Sequence, residues 1–462
     1  MKSRRDIFYN ILLIALIAST IFLASKIWLE LPQFKKAKAP APEKIVTEES
    51  FTKILRPDRI IVNTGEKNHY LLHDSYDYFL KNIEFFKGII LALKEESMEK
   101  INEETYAQLM NSPSIVLSFH HEVNSRMFLN FIDSDEKKKD INETNSVEFQ
   151  EIYIARDKFV CIKNKSGHFV IKDLYFDFNL DSYLDKVSKE PLPKYESLYE
   201  KYGVVSEIFY PEGYFLINQN VIYKNVLANL ERQYINDLAV RFLSTNIEYV
   251  KEIREEDAVT MVYGLRSLRI KEDGELFYTN SEEYKKESPN YFKSIESCVN
   301  FISRISGLDS DIYISDSVPI KDKDREGYKI SFNFRQDSIP IRLIEGDNYI
   351  EVEVFNDHIK SYREFYRRPG ENPSNEPEKL TPVSIEAIFE SYMKYKNLPI
   401  EAENYKEQFD DFVKSIDFLH LCYLDSKEAE GENLLKVSIE ADLNNSKVYF
   451  DPGSGEVLLE DK

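Results

Sequence analysis

The chain has 462 residues, about 430 of them after an apolar N-terminal segment, which is room for two or three folded units. An apolar fraction of 42%, with 30 Tyr and 30 Phe against 14 Gly and 17 Pro, excludes a low-complexity chain. Formal net charge is −21, split into +5 for residues 1–38 (seven basic, two acidic) and −26 for the rest (53 basic, 79 acidic); so acidic a body repels phosphate backbones and excludes nucleic acid as a partner.

In chain order, a basic tail (Lys2, Arg4, Arg5) precedes residues 7–25, nineteen residues without a charge. As a helix they rise about 28 Å, close to the roughly 30 Å hydrocarbon core of a bilayer. Trp28 comes next, where an interfacial aromatic belongs. A cleavable signal would carry small residues at −3 and −1, but a cut after Ala24 puts Phe22 at −3. We therefore expect an uncleaved anchor in contact with membrane lipid. Lys26, Lys35, Lys36 and Lys38 nearly cancel the positive-inside signal of the tail. The shortness of that tail favours export of the chain downstream of the anchor, which places the protein in the cell membrane with its bulk extracytoplasmic. Within the anchor, Ala15, Ala18, Ser19 and Ser25 form a small-residue surface, and small side chains let a second membrane helix approach closely.

The expected layout is a tail (1–5), a transmembrane helix (6–28), a linker (29–50) stiffened by Pro40 and Pro42, and three α+β domains at 51–192, 193–370 and 371–462. In the first domain RIIVNTGEKNHYLL predicts two strands, followed by a helix over 74–93, a strand at IVLSF, and a meander through EIYIARDKFVCIKNKSGHFVIKDL. Leu192-Pro193 marks a boundary. The second domain has strands over 210–223, a helix over 230–243, strands in TMVYGLRSLRI and ELFYTN, and a helix over 291–305. It ends in YKISFNF, IPIRL, YIEVEVF and HIKSYREFY. Ile330, Phe332 and Phe334 alternate with Ser331 and Asn333, which predicts a half-buried strand in an antiparallel sheet with helices packed on it. PGENPSNEPEKLTP reads as a linker. Beyond it Ser384 caps a helix, and IDFLHLCYL, LLKVSIEA, KVYF and EVLL form a second helix-then-meander unit, suggesting a degenerate duplication.

The candidate chemistry is sparse. His120-His121-Glu122 is the one histidine cluster, but neighbours on a regular strand face opposite ways and do not chelate one ion. Asp322, Asp324, Glu326 and Gly327 match a calcium loop at positions 1, 3, 5 and 6, yet position 12 is Asn333 rather than Glu. Ser50–Lys53 and Ser97–Lys100 satisfy SxxK, and Lys165-Ser166-Gly167 is similar to KTG, without the intervening Ser-x-Asn element. Gly453-Ser454-Gly455 reads as a turn. Cys161, Cys298 and Cys422 are an odd number, set in apolar surroundings, and read as buried free thiols. No catalytic constellation, metal or cofactor is expected.

Several short stretches in a fixed order carry a family resemblance. They are Arg56-Pro57 before IIV, Tyr263-Gly264-Leu265-Arg266-Ser267-Leu268, Tyr278-Thr279-Asn280, Phe332-Asn333-Phe334-Arg335 before Ile339-Pro340, and Tyr362-Arg363. Together with the anchor they make the chain resemble the YycH family, membrane-anchored extracytoplasmic regulators of the WalK–WalR (YycG–YycF) cell-wall two-component system. A Pro-x-Trp element often found near that family's C-terminal domain is missing, since Trp28 is the only tryptophan. The resemblance implies a three-domain exterior. It also implies a non-enzymatic regulator that associates, partly through membrane helices, with the sensor histidine kinase WalK (YycG) and a YycI-like sister protein. The alternative is an extracytoplasmic binding module for a cell-wall or peptide ligand, and a hydrolase with a site assembled from distant residues is a third reading.

Overall fold

The computed structural model describes Ser19 and residues 48–461, except 73–74, 133–145, 157–158, 173, 175–179, 190–191, 229–230, 307–310, 347, 371–375, 428–431 and 445. Residues 44–462 form one compact unit and residues 1–43 another. The anchor residues Ala15, Ala18 and Ser25 lie outside the described residues, whereas Ser19 is helical and exposed. Among the described residues no helix is long and apolar enough to cross a membrane.

Helix α1 (Glu48–Leu55) leads into a nine-stranded antiparallel sheet. Its strands are β1 (Arg59–Gly65), β2 (Asn68–Leu72), β3 (Glu99–Ile101), β4 (Ser114–Asn124), β5 (Glu148–Ala155), β6 (Val160–Asn164), β7 (Gly167–Ile171), β8 (Lys194–Ser197) and β9 (Phe209–Glu212). They lie in the order β3-β7-β6-β5-β4-β1-β2-β8-β9. Between them run α2 (Ser75–Lys81), α3 (Ile83–Ala92), α4 (Glu103–Met110), α5 (Ser125–Ile132), α6 (Leu180–Val187) and α7 (Leu198–Tyr202).

The central strands are buried on both faces, which explains why IVLSF is a continuous apolar run instead of an alternation. Ile60, Val62, Ile115, Leu117, Ile152 and Ile154 join Phe79, Phe86 and Phe128 of the helices in one core. Ile61, Val116 and Tyr153 point the other way and join Tyr106 and Met110 of α4. The helix expected over 74–93 is broken in two at Asn82, whose side-chain amide donates to the Tyr78 carbonyl at 2.8 Å.

The short strands β10 (Phe215–Ile217), β11 (Ile222–Asn225), β21 (Arg367–Pro369), β22 (Glu378–Leu380) and β24 (Glu432–Leu434) make two small sheets, β10-β22 and β21-β11-β24. The remaining strands form one thirteen-stranded sheet. They are β12 (Lys251–Arg254), β13 (Ala258–Tyr263), β14 (Arg266–Lys271), β15 (Glu275–Asn280), β16 (Asp311–Asp322), β17 (Arg325–Gln336), β18 (Ile339–Leu343), β19 (Ile350–Phe355), β20 (His358–Phe365), β23 (Ile416–Asp425), β25 (Lys436–Leu443), β26 (Ser446–Phe450) and β27 (Val457–Asp461). All pairs in it are antiparallel except β18 with β23, where Ile341, Arg342 and Leu343 run parallel to Tyr423, Leu424 and Asp425.

Helices α8 (Arg232–Leu243) and α9 (Tyr291–Ser306) pack on the strands before that junction, and α10 (Ile385–Tyr395) and α11 (Tyr405–Lys414) on those after it, so the helix-then-meander order does occur twice. The reason α9 is a helix is legible: Ile295, Cys298, Val299, Ile302 and Ile305 repeat at helical spacing and are buried against the sheet. Each such aliphatic side chain contributes roughly 1.5–3 kcal/mol of burial. Its start is set by Asn290, whose side chain accepts from Lys293 N–H at 2.9 Å. Gly327 belongs to a strand and not to a calcium loop, because a Cβ there would collide with the Val354 carbonyl oxygen on the neighbouring strand.

Candidate functional site

Two of the short stretches that carry the family resemblance meet in space. Arg56 and Asp58 flank Pro57 in the turn before β1, and Arg335 lies near the end of β17, within the chemistry-poor run Phe332-Asn333-Phe334-Arg335. Arg335 pairs with Asp58 and Arg56 with Asp311 of β16, both at hydrogen-bond contact; Arg335 also lies 3.8 Å from Asp311. The guanidinium of Arg335 sits 4.3 Å from the centre of the Tyr313 ring. Arg335 is 2% exposed and Asp58 9%, so each charge depends on the other for compensation. Burial raises the Asp58 carboxyl above its ordinary range, and Arg335 opposes that rise.

A second buried cluster lies beside the parallel junction. Arg342 of β18 donates from Nε to Glu440 of β25 at 2.8 Å and from Nη1 to the Tyr313 hydroxyl at 2.7 Å. His420 of β23 lies 3.6 Å from the same carboxylate. Burial pushes Glu440 upward, but Arg342 above all overrides it and holds the carboxyl below the usual range. Burial also lowers His420 to about 4, so its ring is neutral at pH 7. In the first sheet Lys163 and His168 both reach Glu207, His168 at 2.6 Å. Burial acts against the charged form of Glu207, and the hydrogen bond from His168 and the charge of Lys163 more than offset it, leaving the carboxyl below its ordinary range.

Between these clusters runs a polar trough made of three clefts, of about 880, 340 and 390 Å³, all of them walled by His120. The first two also share Ser315 and Asp316, and the last two share Arg342 and Lys447. The register of β4 on β5 breaks between Ser118 and Val123, and His120 and His121 both line the largest cleft, the first stacked on Tyr313 and the second beside Ile314 and Asp316. The ring nitrogens of His121 are buried. Burial lowers the group to about 4, against the opposing pull of Asp316 and of the Ile314 backbone. His120 stacks on Tyr313 with ring centres 4.5 Å apart, and burial holds it well below the ordinary histidine range.

The other sequence candidates resolve into structural pairs. Lys100 and the Lys165-Ser166-Gly167 turn do come together, since β3 pairs with β7 and Lys100 Nζ donates to the Ser166 carbonyl at 2.9 Å. That contact is exposed, and Ser97 sits in an exposed turn before β3. Asp322 pairs with Lys360 at 3.2 Å, Asp324 with Lys286 at 2.9 Å and Glu326 with Lys321 at 2.7 Å. No group of three His, Cys, Asp or Glu side chains among the described residues is placed to hold a metal ion. Asp451 accepts from Gly453 N–H, Ser454 N–H and the Ser454 hydroxyl, which makes Gly453-Ser454-Gly455 a turn. Cys161, Cys298 and Cys422 are buried free thiols. Sequence reasoning missed the Arg342–Glu440–His420 cluster; its visible signal was Arg342 and His420, each set among apolar neighbours in its strand.

A nine-stranded antiparallel sheet and a thirteen-stranded sheet with one parallel pair, both covered by helices, define an α+β protein of large antiparallel sheets. That is the YycH fold. The crystal structure of YycH from Bacillus subtilis aligns with a TM-score of 0.53 at 15% identity, over 86% of this chain and 96% of that one. A structure of an uncharacterized protein from Eubacterium rectale ATCC 33656 aligns at 13% identity over 53% of this chain and 86% of that one, with a TM-score of 0.33. No family model matches the sequence, and no curated protein does.

Proposed function

We propose that the chain is a non-enzymatic, membrane-anchored regulator of a cell-wall sensor histidine kinase of the WalK (YycG) type, acting with a YycI-like sister protein. The observation that carries this reading is the likeness to YycH across 86% of the chain. In this reading residues 6–28 are the anchor, the 29–50 segment is a spacer, and the exterior is built of 51–192, 193–370 and 371–462 on the extracytoplasmic side. A protein without chemistry of its own regulates only by binding two states of the kinase with different affinity. Ala15, Ala18, Ser19 and Ser25 are the surface through which the anchor packs on kinase helices, because small side chains permit close backbone approach.

The test is crosslinking in membranes with identification of the captured partner, repeated with Ala15→Leu/Ala18→Leu. Capture of the kinase by the parent chain, and loss of most of that capture and of the effect on response-regulator phosphorylation in the double variant, is expected. Undiminished capture and signalling in the double variant would reject the anchor as the contact. Failure of the parent chain to capture any kinase would reject the reading itself.

A further inference from the structure

We propose that the trough walled by His120 is a binding site for an uncharged oligosaccharide. The proposal is independent of the kinase reading, because it concerns the isolated chain and a small ligand. The largest cleft, about 880 Å³, lies within the range of small-molecule sites, about 300–1,000 Å³, and opens into the two others through shared walls.

Its lining is what selects the ligand. One wall carries the half-buried rings of Tyr291, Phe292 and Tyr328, with Tyr291 and Tyr328 centred 4.8 Å apart. Such rings offer apolar faces with polar rims, the surface on which the C–H face of a sugar ring rests. Around them stand side chains that both donate and accept: the amides of Asn130 and Gln150 and the hydroxyls of Ser146 and Ser317. A polyhydroxylated ligand needs this mixture, since each of its hydroxyls does the same. The His121 ring in the same lining is held to about 4 by burial, so it is neutral at pH 7 and adds no charge to the cleft.

Charge excludes the competing ligands. Glu122, Glu148 and Asp316 outnumber Arg126 and Lys165 in the lining, and Lys165 is already paired with Glu122 at 3.2 Å, so a polyanion is repelled. An extended peptide added as a strand needs a regular exposed edge. Here β16 is irregular between Ile314 and Asp316, at the point where it borders the cleft, and β4 breaks register on the other side.

The experiment is calorimetric titration of the full chain, purified in a zwitterionic detergent so that no sugar headgroup competes. The probes are fully acetylated chitotetraose and cellotetraose, beside an uncharged Gly-Ser octapeptide. Saturable binding of at least one oligosaccharide and none of the peptide is expected. Tyr291→Ala should weaken that binding about tenfold, the effect of losing one aromatic contact. Gln150→Ala, on β5 rather than on α9, guards against a folding defect in the first variant and should weaken binding several-fold. Absence of binding by both oligosaccharides overturns the proposal. So does binding that both variants leave unchanged, or a preference for the peptide.

Discussion

Replacing Arg342 by Met removes the guanidinium that compensates Glu440, a residue only 1% exposed, while keeping most of the volume of the buried stem. The carboxylate would retain only neutral His420 at 3.6 Å and Lys447 at 4.0 Å, and the Tyr313 hydroxyl would lose its 2.7 Å donor. Breaking a buried pair from one side costs about 3–5 kcal/mol, because the remaining charge is left uncompensated. The sign of the pH dependence comes from the same cluster. In the parent chain Glu440 titrates below its unfolded value, so its contribution is complete above about pH 4.5 and is lost as pH falls further. Without Arg342, burial dominates and raises the group, so the variant is most destabilised near pH 8 and recovers as acid neutralises the carboxyl. Arg342→Met/Glu440→Gln, which removes both charges, should restore most of the loss at pH 8. Urea unfolding followed by circular dichroism at pH 8 and pH 5, with amide exchange along β25 as a local readout, measures all three. A cost under about 1 kcal/mol at pH 8, or an equal cost at both pH values, would refute the assignment of Glu440 as a charge held by Arg342.

Two further outcomes rest on side chains already described. His121 and His420 titrate near 4 in the folded chain against about 6.5 unfolded, so the unfolded state binds more protons between those values and stability falls as pH drops from 6.5 to 4. Each contributes at most about 3 kcal/mol to that loss, and an unfolding midpoint that is flat across this window would contradict it. Gly327→Ala should cost about 1–3 kcal/mol by driving β17 from β19, read as a lowered melting temperature; an unchanged melting temperature would mean that the strands separate freely.

The elements that were legible in the sequence are those whose burial has one dominant face. The stripe on α9 and the alternation in β17 fall in this group, although Ser331 and Asn333 proved buried too, Asn333 being held by Asn348 and by Tyr349 N–H. Less visible was α11, whose buried Phe409, Phe412 and Val413 are set among five charged residues and Gln408. β16 was missed because Pro319 and the charges of Asp316, Lys321 and Asp322 break its pattern, and it pairs with β17 alone among the described strands. The parallel pairing of β18 with β23 joins residues some eighty positions apart, a distance over which periodicity carries no information. The trough was illegible for the same reason. Its walls come from β4, α5, β5, α9, β16 and β17, and the irregular stretch of β4 that borders it leaves no local signal.

The turn before β1 has a mechanical consequence. Any pull delivered along the chain from its N-terminal side reaches Arg56 and Asp58 before it reaches the first strand. Those two side chains grip Asp311 and Arg335 on the β16–β17 hairpin, more than 250 positions onward. Tension is therefore divided at the point of entry, part to each large sheet. The load passes as shear through charged contacts instead of peeling β1 from its neighbours one hydrogen bond at a time.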